Sequence, residues 1–223
     1  ITAMWQHGYE AMRKDVRSWG IWSLGLGGLH VVASGFLSAG WGILLVIVGG
    51  GSFLFQDAAM YVIYATTLAW AAISNLMGGA GSWIALSIVQ VYMAYKVARS
   101  YVIYRKIQTG YTELVELSEL PAPSDLHRAR DIFPWLGIAT GLLSFLGLIF
   151  IYFGSFIIIL SKTTQIPNWI VFAYDFDLNL AVLAIAISLA ALLSRYPRKI
   201  FSILGLIAGG LVILAYLGLM LLG

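Results

Sequence analysis

The sequence predicts an all-α integral membrane protein with about seven transmembrane helices, its N-terminus in the cytoplasm and its C-terminus outside. Three observations predict this. Hydrophobic residues make up 61% of the chain and charged residues 10%, where an ordinary soluble domain carries about 25% charged. Apolar stretches recur at close to the ~20 residues that cross a hydrocarbon core. The basic residues fall almost entirely between those stretches on one side of the implied membrane.

Residues 1–18 form an amphipathic segment. Trp5, Met12, Val16 and Trp19 share one helical face, while Arg13, Lys14 and Arg17 lie on others. That pattern suits a helix lying in the inner leaflet interface, or a plain extension of the first span. The first apolar stretch follows this mixed-charge segment and is succeeded at once by more apolar sequence, so it reads as membrane rather than as a signal peptide.

Residues 19–106 read as a four-helix unit, with spans at about 19–37, 40–56, 58–78 and 82–104. The links at Ser38-Ala39 and Gly78–Gly81 are short enough to force antiparallel hairpins. Asp57 is placed to cap span three. Gly49-Gly50-Gly51 is a poor helix sequence, so span two ends, kinks or packs very closely there. Trp83, Trp135 and Trp169, with Tyr92, Tyr95, Tyr101 and Tyr104, read as interfacial anchors.

Residues 107–132 read as a cytoplasmic linker holding Glu113, Glu116, Glu119 and Pro121-Ala122-Pro123. Leu114, Leu117 and Leu120 allow one short helix in it. Residues 133–223 form a three-helix unit, with spans at about 133–161, 178–194 and 199–222. Asn168–Ala173 is too short to span and is expected to rest in the outer interface. Asp175 and Asp177, with Asn179, then stand at the outer mouth of span six. Capping suits them better than metal binding, because the segment lacks the six or more oxygens that calcium takes.

The charges test this count independently. Arg13, Lys14, Arg17, Lys96, Arg99, Arg105, Lys106, Arg128, Arg130, Arg195, Arg198 and Lys199 fall inside and Lys162 outside, twelve of thirteen on one side. Merging spans one and two, or dropping span six, puts several of these clusters outside.

In lipid, helices associate through small residues rather than through apolar area. Gly20, Ser23 and Gly27, Gly137-x-x-x-Gly141, Ala184-x-x-x-Ser188 and Gly205-x-x-x-Gly209 are read as seams within the chain, with seams to another subunit as the competing reading.

Polar residues at membrane depth are His30, Asn75 and Gln90. His30 shares a face with Ser23, Gly27 and Ser34 and so faces protein. It is the single candidate for a cofactor or pigment contact. No Asp, Glu, Lys or Arg sits in the middle of a span so drawn, which weighs against ion-coupled transport.

No catalytic residue, metal site or cofactor is indicated. The chain has no cysteine. No deep lysine lies in the last span for a Schiff base, no His-Glu-x-x-His is present, and no nucleotide-binding motif occurs. The basic residues flank apolar segments, which excludes a nucleic-acid patch.

The expected function is therefore that of a non-enzymatic accessory or scaffolding subunit. Its partners are membrane lipids and other membrane subunits or further copies of itself, and the texture of the sequence suggests a bacterial inner membrane. The alternative is a transporter or channel for a small or lipophilic solute, with a polar pocket near His30, Asn75 and Gln90. A second alternative is a pigment- or quinone-contacting subunit.

Overall fold

The computed structural model describes residues 2–34, 39–77, 81–118, 128–160 and 167–222, with the side chains at some segment ends left out. Its elements are seven helices: α1 (Thr2–Ser34), α2 (Gly40–Leu54), α3 (Met60–Met77), α4 (Gly81–Ser118), α5 (Arg128–Leu160), α6 (Asn168–Leu193) and α7 (Lys199–Leu222).

Three of them, over Ala129–Ile157, Asn168–Leu193 and Lys199–Gly218, are long and apolar enough to cross a membrane. Their outward side chains agree. On α5, Leu142, Leu146, Phe150 and Phe153 are more than half exposed, a face that water would not tolerate at this extent. Gly40–Leu54 and Met60–Leu76 are shorter apolar helices. At 1.5 Å per residue, α1 and α4 run about 50 and about 57 Å, well beyond the ~30 Å hydrocarbon core, so each joins an apolar half to a charged half.

Helices α1 and α2 form one antiparallel pair and α3 and α4 another, while α5, α6 and α7 pack mutually. Helix α6 also touches α2 and α3 and so joins the trio to both pairs. It is the most buried of the three long apolar helices.

Glycine explains the closest approaches. Gly20 and Gly27 of α1 face Gly49 and Gly42 of α2. A Cβ added at Gly27 would lie 2.6 Å from the Gly42 carbonyl oxygen, and one at Gly49 would lie 2.9 Å from that of Gly20. Helix α2 runs through all three glycines of 49–51, and Gly49 supplies the contact. In the other group, a Cβ at Gly205 would sit 2.6 Å from the Gly137 oxygen, and one at Gly209 would sit 2.8 Å from that of Ala181. These seams lie within the chain. Gly25, Gly28 and Gly210 meet nothing.

Three segments differ from the sequence reading. Helix α1 runs unbroken from Thr2, the plain extension of the first span, and the face of residues 2–18 that carries Met12 and Val16 is buried inside the protein. There Tyr9 stacks on Tyr111 of α4 at 4.7 Å, and Trp5 covers Gly110. A leaflet and a partner helix both satisfy an amphipathic face, and here the partner helix is α4. That partner exists because α4 does not stop near residue 106 but continues to Ser118, through much of the expected linker. Leu114 and Leu117 belong to α4. Leu120, Glu119 and the Pro121–Pro123 stretch lie outside the described residues.

The third difference is at α6. It begins at Asn168 behind Pro167, whose backbone is extended, so Asn168–Ala173 is helix rather than an interfacial strip. Asp175 and Asp177 therefore stand about two turns inside the helix and cannot cap it. Both acids thus lie inside a helix that is long and apolar enough to cross a membrane, rather than at its mouth.

Among the anchors, Tyr92 and Tyr95 point outward, whereas Tyr104 turns inward and stacks on Tyr61 at 5.4 Å. Trp135 and Trp169 are each about half exposed at opposite ends of the bundle, Trp135 beneath Arg198. The side chain of Trp83 is outside the described residues, as is Lys162.

Candidate functional site

Three aspartates carry the polar chemistry of the interior, and each sits where elements distant in sequence converge.

Asp57 precedes α3. It accepts the Ala59 N–H at 2.7 Å, the expected cap, through Oδ1. Two further donors reach it: the Tyr196 hydroxyl at 2.5 Å on Oδ1 and Gln108 Nε2 at 2.6 Å on Oδ2. The Gln108 amide turns its other end to the Ala58 N–H at 3.0 Å.

Tyr196 comes from the turn between α6 and α7, in which Arg195 and Arg198 both take positive φ, 55° and 61°. This costs backbone energy for non-glycine residues. The turn carries the Tyr196 ring inward, edge-on to Phe133. Burial first, and then the nearby Asp57 charge, hold its hydroxyl well above the ordinary tyrosine value, so it stays a donor. Arg105 spans the same junction and donates to the Ser194 carbonyl. On the side toward α1, Arg13 Nε donates to Gln56 at 2.6 Å and the Tyr61 hydroxyl to Asp15 at 2.5 Å.

Asp175 lies on the side of α6 toward α2. Helix α2 starts at Gly40 without a side-chain cap of its own, since Ala39 has none to offer. Asp175 Oδ2 accepts the Gly40 N–H at 2.6 Å, so a residue 135 positions away satisfies one of the orphan donors of α2 at its positive end. Gly40 has no room for a Cβ there. Asn179, one turn on, donates to the Asp175 carbonyl at 2.8 Å and to its Oδ1 at 3.2 Å. His30 is close enough to act on the Asp175 charge, and its ring meets Trp41 edge-on at 5.2 Å.

Asp177 lies on the other side of α6 and is 3% exposed. The Tyr216 hydroxyl of α7 donates to its Oδ2 at 2.7 Å, and Ser144 Oγ of α5 to its backbone carbonyl at 3.1 Å. Gly147 makes space for the carboxylate.

Of the three polar residues read at membrane depth, two meet. Asn75 Nδ2 donates to Gln90 Oε1 at 2.8 Å across α3 and α4, beside a bond from Ser87 Oγ to the Ala72 carbonyl. His30 keeps separate company with Trp41 and Asp175. The sequence reading missed Tyr196, Tyr216 and Gln108. A tyrosine hydroxyl inside span seven is the available signal for Tyr216. Gln108 had been assigned to the linker and carried none.

Asn179 Oδ1, Ser188 Oγ and Trp41 Nε1 are buried without a partner among the described residues. A small slot opens between α2 and α6 and is bordered by Asn179. Among the described residues, no three His, Cys, Asp or Glu side chains gather as a metal site. No protein-family model, no curated protein and no solved structure matches the chain.

Proposed function

We propose that the protein is a multi-pass membrane carrier of a small or lipophilic solute, with α6 as its working helix. It crosses a bacterial inner membrane seven times with its N-terminus in the cytoplasm, a reading supported by the twelve of thirteen basic residues that this orientation keeps inside.

The observation that carries the transport reading is the pair of aspartates within α6, Asp175 toward α2 and Asp177 toward α5 and α7. Carboxyl groups at membrane depth are expensive and mark ion, proton and substrate pathways. The sequence reading sets transport second because it draws no acid in the middle of a span; two aspartates inside the long apolar α6 support placing it first.

The test is reconstitution into vesicles that hold a pH-sensitive dye, under an imposed proton gradient. Wild-type protein is expected to dissipate the gradient faster than empty vesicles. Asp175→Asn and Asp177→Asn, checked for unchanged size and melting, are expected to slow this by at least about tenfold, the order of one missing charged contact. Wild-type flux equal to that of empty vesicles removes a proton pathway through α6, and with it the ground on which this reading stands.

The second reading is an accessory or scaffolding subunit. It is favoured by the charged ends of α1 and α4, which run together beyond the apolar halves. A partner that copurifies after mild extraction and is lost when residues 2–12 are deleted supports it; a bare monomer counts against it.

A further inference from the structure

We propose that the slot between α2 and α6 binds the hydroxyl of a membrane-dissolved alcohol or phenol, with Asn179 Oδ1 as the acceptor and an apolar tail lying along the α2 face. Leu44 and Ile47 of α2 and Phe176, Leu180 and Leu183 of α6 line the slot, and Asn179 is its polar side chain. The room inside it is about 10 Å³, enough for one water-sized group such as a hydroxyl and not for a whole molecule. Ile47 at the lining is 46% exposed, on a helix whose outward residues Val46, Phe53 and Leu54 are also apolar, so the mouth opens toward lipid.

Counting hydrogen-bonding groups selects the guest. Asn179 is 5% exposed, and both bonds from its Nδ2 go to Asp175. Its acceptor Oδ1 is buried with no donor among the described residues, a costly state. The guest must therefore donate. A metal cation would need several more oxygens, and the leucine, isoleucine and phenylalanine walls supply none. A water needs two to four polar partners and would find one. An alcohol has one donor to place, and the rest of it matches the walls. Oδ1 is covered in the resting packing, so the guest reaches it only when a side chain lining the slot moves aside.

The site goes beyond the transport reading, because binding is required whether or not the guest is moved. It is tested without any gradient. Protein in lipid nanodiscs is photolabelled with a diazirine analogue of 1-octanol, and the labelled peptides are mapped. The expected result is saturable labelling of residues 40–54 and 175–185, displaced by 1-octanol and not by n-octane.

Asn179→Leu is expected to weaken octanol competition about fivefold, the worth of one neutral hydrogen bond. Ile47→Trp, which closes the mouth from the outside and leaves the amide in place, is expected to abolish site labelling, and it decides the matter if Asn179→Leu does not fold. Labelling that follows lipid exposure along every helix, that n-octane displaces equally, or that survives Ile47→Trp unchanged overturns the proposal. Absence of flux in the vesicle assay leaves it standing.

Discussion

Tyr216 donates to Asp177 at 2.7 Å in a setting where water cannot take its place. Tyr216→Phe keeps the ring and removes the donor, leaving a buried carboxyl oxygen short of a partner. A loss of about 1–3 kcal/mol in stability is expected, read as a lowered melting temperature in detergent. The same substitution at an outward tyrosine, Tyr95, is expected to change little.

Tyr196 adds a pH test. Its hydroxyl is held protonated above the ordinary tyrosine range, so the fold favours the protonated form. The stability this contributes is complete below the unfolded value of about 10 and is lost as pH rises toward the folded one. Melting temperature should fall above about pH 10, and Tyr196→Phe should make that fall shallower while lowering the neutral-pH value. An unchanged slope in the variant would separate Tyr196 from the alkaline transition.

At the scale of elements, the α1–α2 hairpin rests on two glycine pairs. Gly42→Ala would drive a methyl to 2.8 Å from the Gly27 carbonyl oxygen, backbone that cannot step aside. A cost of about 1–3 kcal/mol is expected, as for other overpacked sites. Gly25→Ala on the open side should instead stabilise by about 0.5–1 kcal/mol through helix propensity. Paired melts of the two variants check both signs.

These seams were legible in the sequence because small residues at fixed spacing are a local signal. The long reach of α4 and the true start of α6 were not. Each depends on a distant partner that offsets a local penalty: the Tyr9 and Trp5 rings cover the charged half of α4, and the N–H of Gly40 together with the hydroxyl of Tyr216 settle two acids inside α6. A reading that ends a span at the first unpaired charge stops too early wherever tertiary contacts complete the pairing. For the same reason the sequence located Asp175 and Asp177 as noteworthy but placed them at the start of α6 rather than two turns inside it. It grouped His30 with Asn75 and Gln90 by polarity alone, which says nothing about which helices touch.

At the scale of the whole molecule, the cysteine-free chain permits a clean topology map. Single cysteines at positions 106 and 198 should both react with an impermeant maleimide from the cytoplasmic side, and one at 162 from the outside. Reaction of 106 and 198 from opposite faces would break the seven-crossing arrangement. The all-helical architecture and the three long apolar helices do not depend on that outcome.

Two residues along a helix is a turn of about 200°, which is why neighbours at that spacing look in opposite directions. Asp175 and Asp177 stand in that relation, one latched to the start of α2 and the other to α7. Rotation of α6 about its own axis would therefore disturb both contacts at once, so its angular setting is fixed from two sides.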